Sequence, residues 1–200
     1  FNTKPRLIGS FGTRNTFIQG FNAPIFHIRL GAEFNKTLRM GAGFCFLKKP
    51  DWKSGEDQRP FIYLKPVIND LYLNDTVPSF LNLTYFTYFV EYVYYSHKRW
   101  QLSLPVQLGF GQFYYQYDLS GRKNRELESP VFLYEPSVSV QYKLLSWLAL
   151  GVDVGYRFLL VDKKLANTQY NSPIYDLKLT LLWGEIYKGL FPKGLFSKRK

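Results

Sequence analysis

Large apolar residues recur at every second position in segment after segment of this chain, with polar or small residues between them. That period marks strands whose two faces meet different surroundings. From Leu148, one face carries Leu148, Leu150, Val152, Val154, Tyr156 and Phe158, and the other Ala149, Gly151, Asp153, Gly155 and Arg157. Phe26, Ile28, Leu30, Ala32 and Phe34 are set in the same way against His27, Arg29, Gly31 and Glu33. Leu38, Met40, Ala42, Phe44 and Phe46 are set against Arg39, Gly41, Gly43 and Cys45. The split returns from Phe86, Trp100, Phe132 and Tyr175, which predicts seven clear strands, and residues 5–13 form a weaker eighth. No long helical pattern competes with it.

Alternation leaves open which face is inside, since a soluble barrel turns its apolar face inward and a membrane barrel turns it outward. The polar face decides. In a soluble barrel it would meet water and favour Lys, Glu and Thr, whereas here it mixes Gly, Ser and Ala with isolated charges of both signs, a composition suited to a crowded interior. The apolar face runs five to six positions per strand, enough at ~3.3 Å per residue and the usual tilt to cover the ~25 Å apolar band of an outer-membrane barrel. Aromatics gather near strand ends (Phe26, Phe34, Phe46, Tyr94, Trp100, Tyr142, Phe158, Tyr175, Trp183) as two interfacial girdles would. Connections alternate as well. Those at 35–37, 95–99 and 145–147 are tight, and those at about 14–24, 48–80, 118–130 and 160–173 are long and polar, which predicts periplasmic turns, extracellular loops and both termini on the periplasmic side. Residues 61–73 are apolar enough to form an extracellular extension or two further strands that would make ten.

Residues paired across an antiparallel hairpin point to the same face, so the predicted faces require odd loops. A loop of Asn35, Lys36 and Thr37 pairs Phe34 with Leu38 outside and Glu33 with Arg39 inside, and sets His27 opposite Cys45. A loop of Leu145, Ser146 and Trp147 pairs Leu144 with Leu148 and sets Glu135 opposite Arg157. Each register produces an interior ion pair. Because eight strands enclose a space that side chains can fill, Glu33, Arg39, Glu91, Glu135, Asp153, Arg157 and Lys178 are expected to form a closed polar network with no open diffusion pore.

On these alternating segments, over roughly residues 5–183, the chain resembles the small outer-membrane β-barrels of Gram-negative envelopes, the OmpA, OmpX and PorT-like group. The resemblance rests on pattern, without a diagnostic motif. It implies an all-β fold, a transmembrane antiparallel up-and-down β-barrel of eight strands over residues 1–183, integral to the outer membrane and in contact with its lipid and lipopolysaccharide. Such barrels often end at an aromatic residue of the last strand, whereas this chain continues past Trp183.

Composition narrows the chemistry. With 200 residues, a single cysteine and two histidines, there is no disulfide framework and no convincing Cys/His metal cluster, so neither a metal nor a cofactor is expected. No stretch reaches the ~18 apolar residues of a spanning helix. Phe1 follows no charged and apolar leader, so any secretory signal is expected to be removed already or to lie outside this sequence. The net charge of +11 comes from separated loops and the tail, not from one groove, which argues against nucleic acid. Lys48, Lys49, Lys53 and Arg59 in one loop, and Arg122, Lys123 and Arg125 in another, suit either solvent or lipopolysaccharide phosphates. The Gly41/Gly43 and Gly109/Gly111 pairs lie mid-strand, where inward glycine relieves crowding, and no helix follows to make a phosphate loop. His27 opposite Cys45 is a conceivable nucleophilic dyad, but a thiol packed beside a ring is the commoner arrangement; no catalytic residue is assigned.

Residues 184–200 form a basic, aromatic tail expected on the periplasmic side. Pro192 interrupts any helix there. Tyr187, Leu190, Phe191, Leu195 and Phe196, with Lys198 and Arg199, suit docking on the inner leaflet or on another outer-membrane or periplasmic protein. The expected function is that of a non-enzymatic barrel with a plugged interior, an accessory subunit of a larger complex for protein assembly, secretion or transport. A lipid A- or phospholipid-modifying enzyme, a solitary adhesin or envelope-stabilising barrel, and a soluble lipocalin-like binder are the alternatives.

Overall fold

In the computed structural model the alternating segments close into a ring. The structure describes residues 5–18, 21–48, 62–68, 74–119, 122–160, 171–184 and 186. Nine strands occur among them: β1 Arg6–Ile18, β2 Phe21–Phe34, β3 Leu38–Leu47, β4 Ile62–Ile68, β5 Asn74–His97, β6 Trp100–Leu119, β7 Arg122–Lys143, β8 Leu148–Leu159 and β9 Ser172–Leu182. All described pairings are antiparallel, in the order β3-β2-β1-β9-β8-β7-β6-β5-β4, and a further β3–β5 pairing closes the ring. Eight strands therefore make the barrel. β4 stands outside it, paired from Ile62↔Phe80 to Ile68↔Asn74 on the upper part of β5. Of the two readings of residues 61–73, the hairpin extension is the one that forms.

The faces fall as the alternation predicts. Leu30 is 60% exposed, Phe86 64% and Leu177 57%, whereas Arg39 at 1% and Asp176 at 2% are buried in the lumen. This distribution is the reverse of a soluble barrel and leaves an apolar belt around the outside. Aromatic contacts stitch the belt at two levels. Phe26–Phe46, Phe44–Phe86, Phe110–Phe132 and Tyr134–Phe158 ring the upper end, with centroids 5.1–6.0 Å apart, and Trp100–Tyr142 at 4.9 Å lies at the lower. On β6 the levels are separated by the run from Trp100 to Phe110. At ~3.3 Å per residue and the usual tilt, that run spans roughly 25 Å, the apolar thickness of an outer membrane. The end of the 35–37, 98–99 and 144–147 turns also holds the start of β1 and the end of β9, opposite the end where β5, β6 and β7 project, and by the outer-membrane rule it faces the periplasm.

The turns work by two devices. Asn35 and Lys36 both take left-handed φ, 51° and 61°, a conformation asparagine tolerates well, and Thr37 N donates to Phe34 O at 3.0 Å. That three-residue loop gives Phe34↔Leu38, Glu33↔Arg39 and His27↔Cys45. The β7–β8 connection keeps Tyr134↔Phe158 and Tyr142↔Leu150, the register that an odd loop at 145–147 demands. The turn expected at 95–99 is tighter. β5 continues to His97, only Lys98 and Arg99 intervene, and the register slips by one residue between Val93 and Tyr95. The bulge restores the face parity that an even loop would have inverted.

Two of the expected long loops are strand instead. Within 14–24, β1 runs to Ile18 and β2 begins at Phe21; within 118–130, β6 runs to Leu119 and β7 begins at Arg122. The asymmetry between the two ends resides in strand length. β5, β6 and β7 rise well past the upper aromatic level, and with β4 they make a four-stranded wall on one side of the barrel mouth. Of the remaining loop segments, 49–61, 69–73 and 161–170 lie outside the described residues.

Candidate functional site

The lumen is the place where this sequence concentrates chemistry. Among the described residues, ten charged side chains are buried there, the cations Arg14, Arg29, Arg39, Arg157 and Lys178 and the carboxylates Glu33, Glu91, Glu135, Asp153 and Asp176. Each sits at an inward position of its strand, and the numbers of the two signs match. In a low-dielectric interior an unmatched charge would be severely destabilising, so this balance is a condition of folding.

The lower layer is organised by Arg39. Its Nε donates to Glu33 Oε2 at 2.9 Å, Nη1 to Glu91 Oε1 at 2.9 Å and Gln141 Oε1 at 3.1 Å, and Nη2 to Gln101 Oε1 at 2.9 Å. Ser103 Oγ donates to Glu91 Oε1 at 2.7 Å, and Lys178 Nζ to Asp153 Oδ2 at 2.7 Å. The fork of one guanidinium thus ties β2, β3, β5, β6 and β7 together. Gly43 makes room for the next layer. A Cβ there would stand 2.7 Å from Arg29 Cγ and 2.7 Å from Ile28 O.

Above it, Asp176 accepts from Arg14 Nη2 at 3.0 Å, Arg29 Nη2 at 2.9 Å and His27 Nε2 at 2.8 Å. Arg14 Nη1 reaches on to Glu135, which also accepts from Arg157 Nε at 2.5 Å and Gln107 Nε2 at 2.9 Å. Arg157 Nη2 donates to the Tyr85 hydroxyl at 2.8 Å. All seven residues expected in the interior network are therefore buried and ion-paired, in two layers. Arg14, Arg29, His27 and Asp176, which hold the upper layer together, were not assigned to the network by sequence reasoning. Arg29, His27 and Asp176 were visible on inward faces, and Arg14 fell inside the supposed 14–24 loop.

At the extracellular end the lumen turns apolar. Ile18, Ile25, Leu47, Leu81, Leu83, Tyr85, Phe113 and Leu133 pack with Ala23 and Cys45 into one buried cluster, a lid over the charged layers. Between the layers there is a void of about 10 Å³, bordered by Arg29, Arg39, Glu91 and Lys178. That is room for roughly one water. Cys45 and His27 are paired in register, but Nε2 of His27 is spent on Asp176 and Nδ1 accepts from Arg29 Nε at 3.4 Å. The thiol has no base in that ring. The residues expected to dock the tail, Tyr187 to Arg199, lie outside the described residues.

Solved structures share this architecture. Neisserial surface protein A superposes with a TM-score of 0.57 at 10% identity, over 89% of this chain and 96% of its own. The chain has the fold of a small integral outer-membrane barrel. A major outer membrane protein of Thermus thermophilus gives a TM-score of 0.54 at 12% identity, over 88% of this chain and 98% of its own. Ail, the attachment invasion locus protein of Yersinia pestis, in complex with the heparin analogue sucrose octasulfate, gives 0.51 at 12% identity, over 90% and 99%. No family model matches the chain, and no curated protein does. What this barrel shares with these proteins is its fold.

Proposed function

We propose that this chain is a non-enzymatic, non-conducting barrel of the outer membrane that serves as an accessory subunit of a larger complex for protein assembly, secretion or transport. The observation that carries the reading is the filled lumen, two matched ionic layers beneath an apolar lid with a void of about 10 Å³ between the layers. A barrel filled in this way does its work at its surfaces: the four-stranded extracellular wall, the lipid-facing belt and the tail from residue 184. The engaged ring nitrogens of His27 weigh against lipid-modifying chemistry.

Two measurements test it. In planar bilayers the purified monomer is expected to give no large steady conductance, and a sustained open channel would overturn the sealed reading. From native envelopes in mild detergent, the tagged chain is expected in a complex far above 23.5 kDa that collapses when residues 184–200 are removed. Recovery as a lone barrel in both forms would overturn the subunit role. It would favour the second reading, a solitary adhesin, for which the projecting wall with its exposed Leu127, Arg122, Lys123 and Arg125 is the supporting observation.

A further inference from the structure

The β5–β6 hairpin gives the periplasmic rim one sector unlike the rest. Its bulge between Val93 and Tyr95 sets two consecutive tyrosines, Tyr94 and Tyr95, on the outer face, 49% and 46% exposed. His97 and Trp100 follow on the same face, with the rings of Tyr95 and His97 6.3 Å apart. The turn adds Lys98 and Arg99, both exposed, directly beyond the Trp100–Tyr142 aromatic level. Arg99 Nη1 donates to the Tyr142 hydroxyl at 3.3 Å, a neutral acceptor that aims the guanidinium and leaves its charge unmatched. Lys98, at a left-handed φ of 49°, is in no ion pair. Among the described residues, the carboxylates of this end, Glu33 and Glu91, are buried in the lumen on Arg39. The β7–β8 turn at the same end presents Leu145, Ser146 and Trp147, without a charge. In the ring β5 stands four strands from β9 in either direction, so this sector is opposite the last strand.

We propose that this hairpin binds the head group of an anionic phospholipid in the periplasmic leaflet, a phosphodiester without a compensating ammonium, as in phosphatidylglycerol. Depth, charge and continuity with the belt select that ligand. Cations directly beyond an interfacial aromatic level lie where lipid phosphates lie. Two adjacent cations, neither of them in an ion pair, suit one phosphodiester. The outer face of this end has no carboxylate among the described residues, so it offers nothing to the ammonium of a zwitterionic lipid. The phenols of Tyr94 and Tyr95 supply neutral hydroxyls that a glycerol head group can bond. From the hairpin the outer face continues upward through Tyr92, Val90, Leu104 and Val106, a track along which the acyl chains lie. The inference stands apart from the subunit reading, since it concerns the contact of the barrel with lipid alone.

The test releases the full-length protein from mixed micelles that hold phosphatidylglycerol and phosphatidylethanolamine of the same acyl chains in equal amounts, and counts the bound lipids by native mass spectrometry. Retained phosphatidylglycerol is expected to exceed phosphatidylethanolamine by at least about fivefold, the effect of one cation beside an anionic head group. In Lys98→Gln/Arg99→Gln, shown to be folded by its heat-dependent gel shift, that preference is expected to vanish. Lys123→Gln/Arg125→Gln removes the same charge from the extracellular end of β7 and is expected to keep it. Equal retention of the two lipids by the parent, or an undiminished preference in the hairpin variant, would overturn the proposal. So would an equal loss in the extracellular variant, which would make net charge the cause. Lys98→Gln alone, at a side chain outside any ion pair, is expected to lower the preference too and decides the matter if the double variant does not fold.

Discussion

Arg14 and Asp176 face each other across the seam where the first strand of the barrel meets the last, with Arg14 Nη2 3.0 Å from Asp176 Oδ2. The same carboxylate receives His27 and Arg29 of β2, so one aspartate holds three strands from inside. Asp176→Ala removes the shared acceptor and leaves two buried guanidinium groups short of a partner. Its expected cost is about 3–5 kcal/mol, the usual penalty for breaking a buried ion pair from one side. Asp176→Asn, which keeps the shape and one acceptor, should cost less. Urea unfolding in phospholipid vesicles, followed by tryptophan fluorescence, measures both. An Ala variant as stable as the parent would show that this cluster does not hold the seam.

Glu135 and Arg157 should behave as a coupled pair. Arg157→Met removes one of the three donors to Glu135 and leaves Arg14 and Gln107, and Glu135→Gln weakens two arginines at once. The double variant is expected to lose less than the sum of the singles by about 0.5–3 kcal/mol, the range for residues in one network. Strict additivity in a double-mutant cycle would contradict the described contacts.

Position along the membrane normal should set the response of the outer face. Leu177, 57% exposed in the belt, is expected to cost about 2–4 kcal/mol on substitution by Arg. Gln112 lies outward and above the upper aromatic level, and its change to Arg should cost about 0–1 kcal/mol. Equal costs in a vesicle folding titration would place the membrane elsewhere.

Cys45 gives a direct report of closure. The side chain is buried in the apolar lid. A maleimide is expected to label it about a hundredfold more slowly in the folded barrel than in urea, since labelling requires opening of the lid. Similar rates would mean that the lid is open.

What short loops control was legible in the sequence. The odd turn at 35–37 fixes Glu33 against Arg39, and the odd spacing at 145–147 fixes Glu135 against Arg157; both follow from local arithmetic. Arg14 was missed for a physical reason. The upper half of β1 places Arg14 and Thr16 inside but Asn15 outside, so the apolar contrast that reveals a strand disappears there. Asp176 was legible as inward-facing, but no turn sets the register of β1 on β9, so its partners lay beyond local inference. The part of the extracellular wall at 118–130 was read as loop because strands above a membrane have no lipid-facing side to keep apolar. Tyr114 and Gln116 face outward there and Phe113 and Tyr115 inward, which leaves little alternation to detect.

The closing seam also has a kinetic meaning. Arg14 and Asp176 are 162 residues apart in sequence, whereas every other ring pairing except β3–β5 joins strands that follow one another directly. Hairpins can form early and cheaply, but closing a loop of that length carries the largest entropic penalty and comes late. Until it closes, Arg14 on one edge and Asp176 on the other stay unmatched, and the growing sheet presents half of an ionic lock. Sealing is therefore expected to be cooperative. Insertion of the belt, pairing of the edge strands and neutralisation of the upper layer complete one another, and an unclosed sheet is left with charged edges that resist entering lipid before its two ends meet.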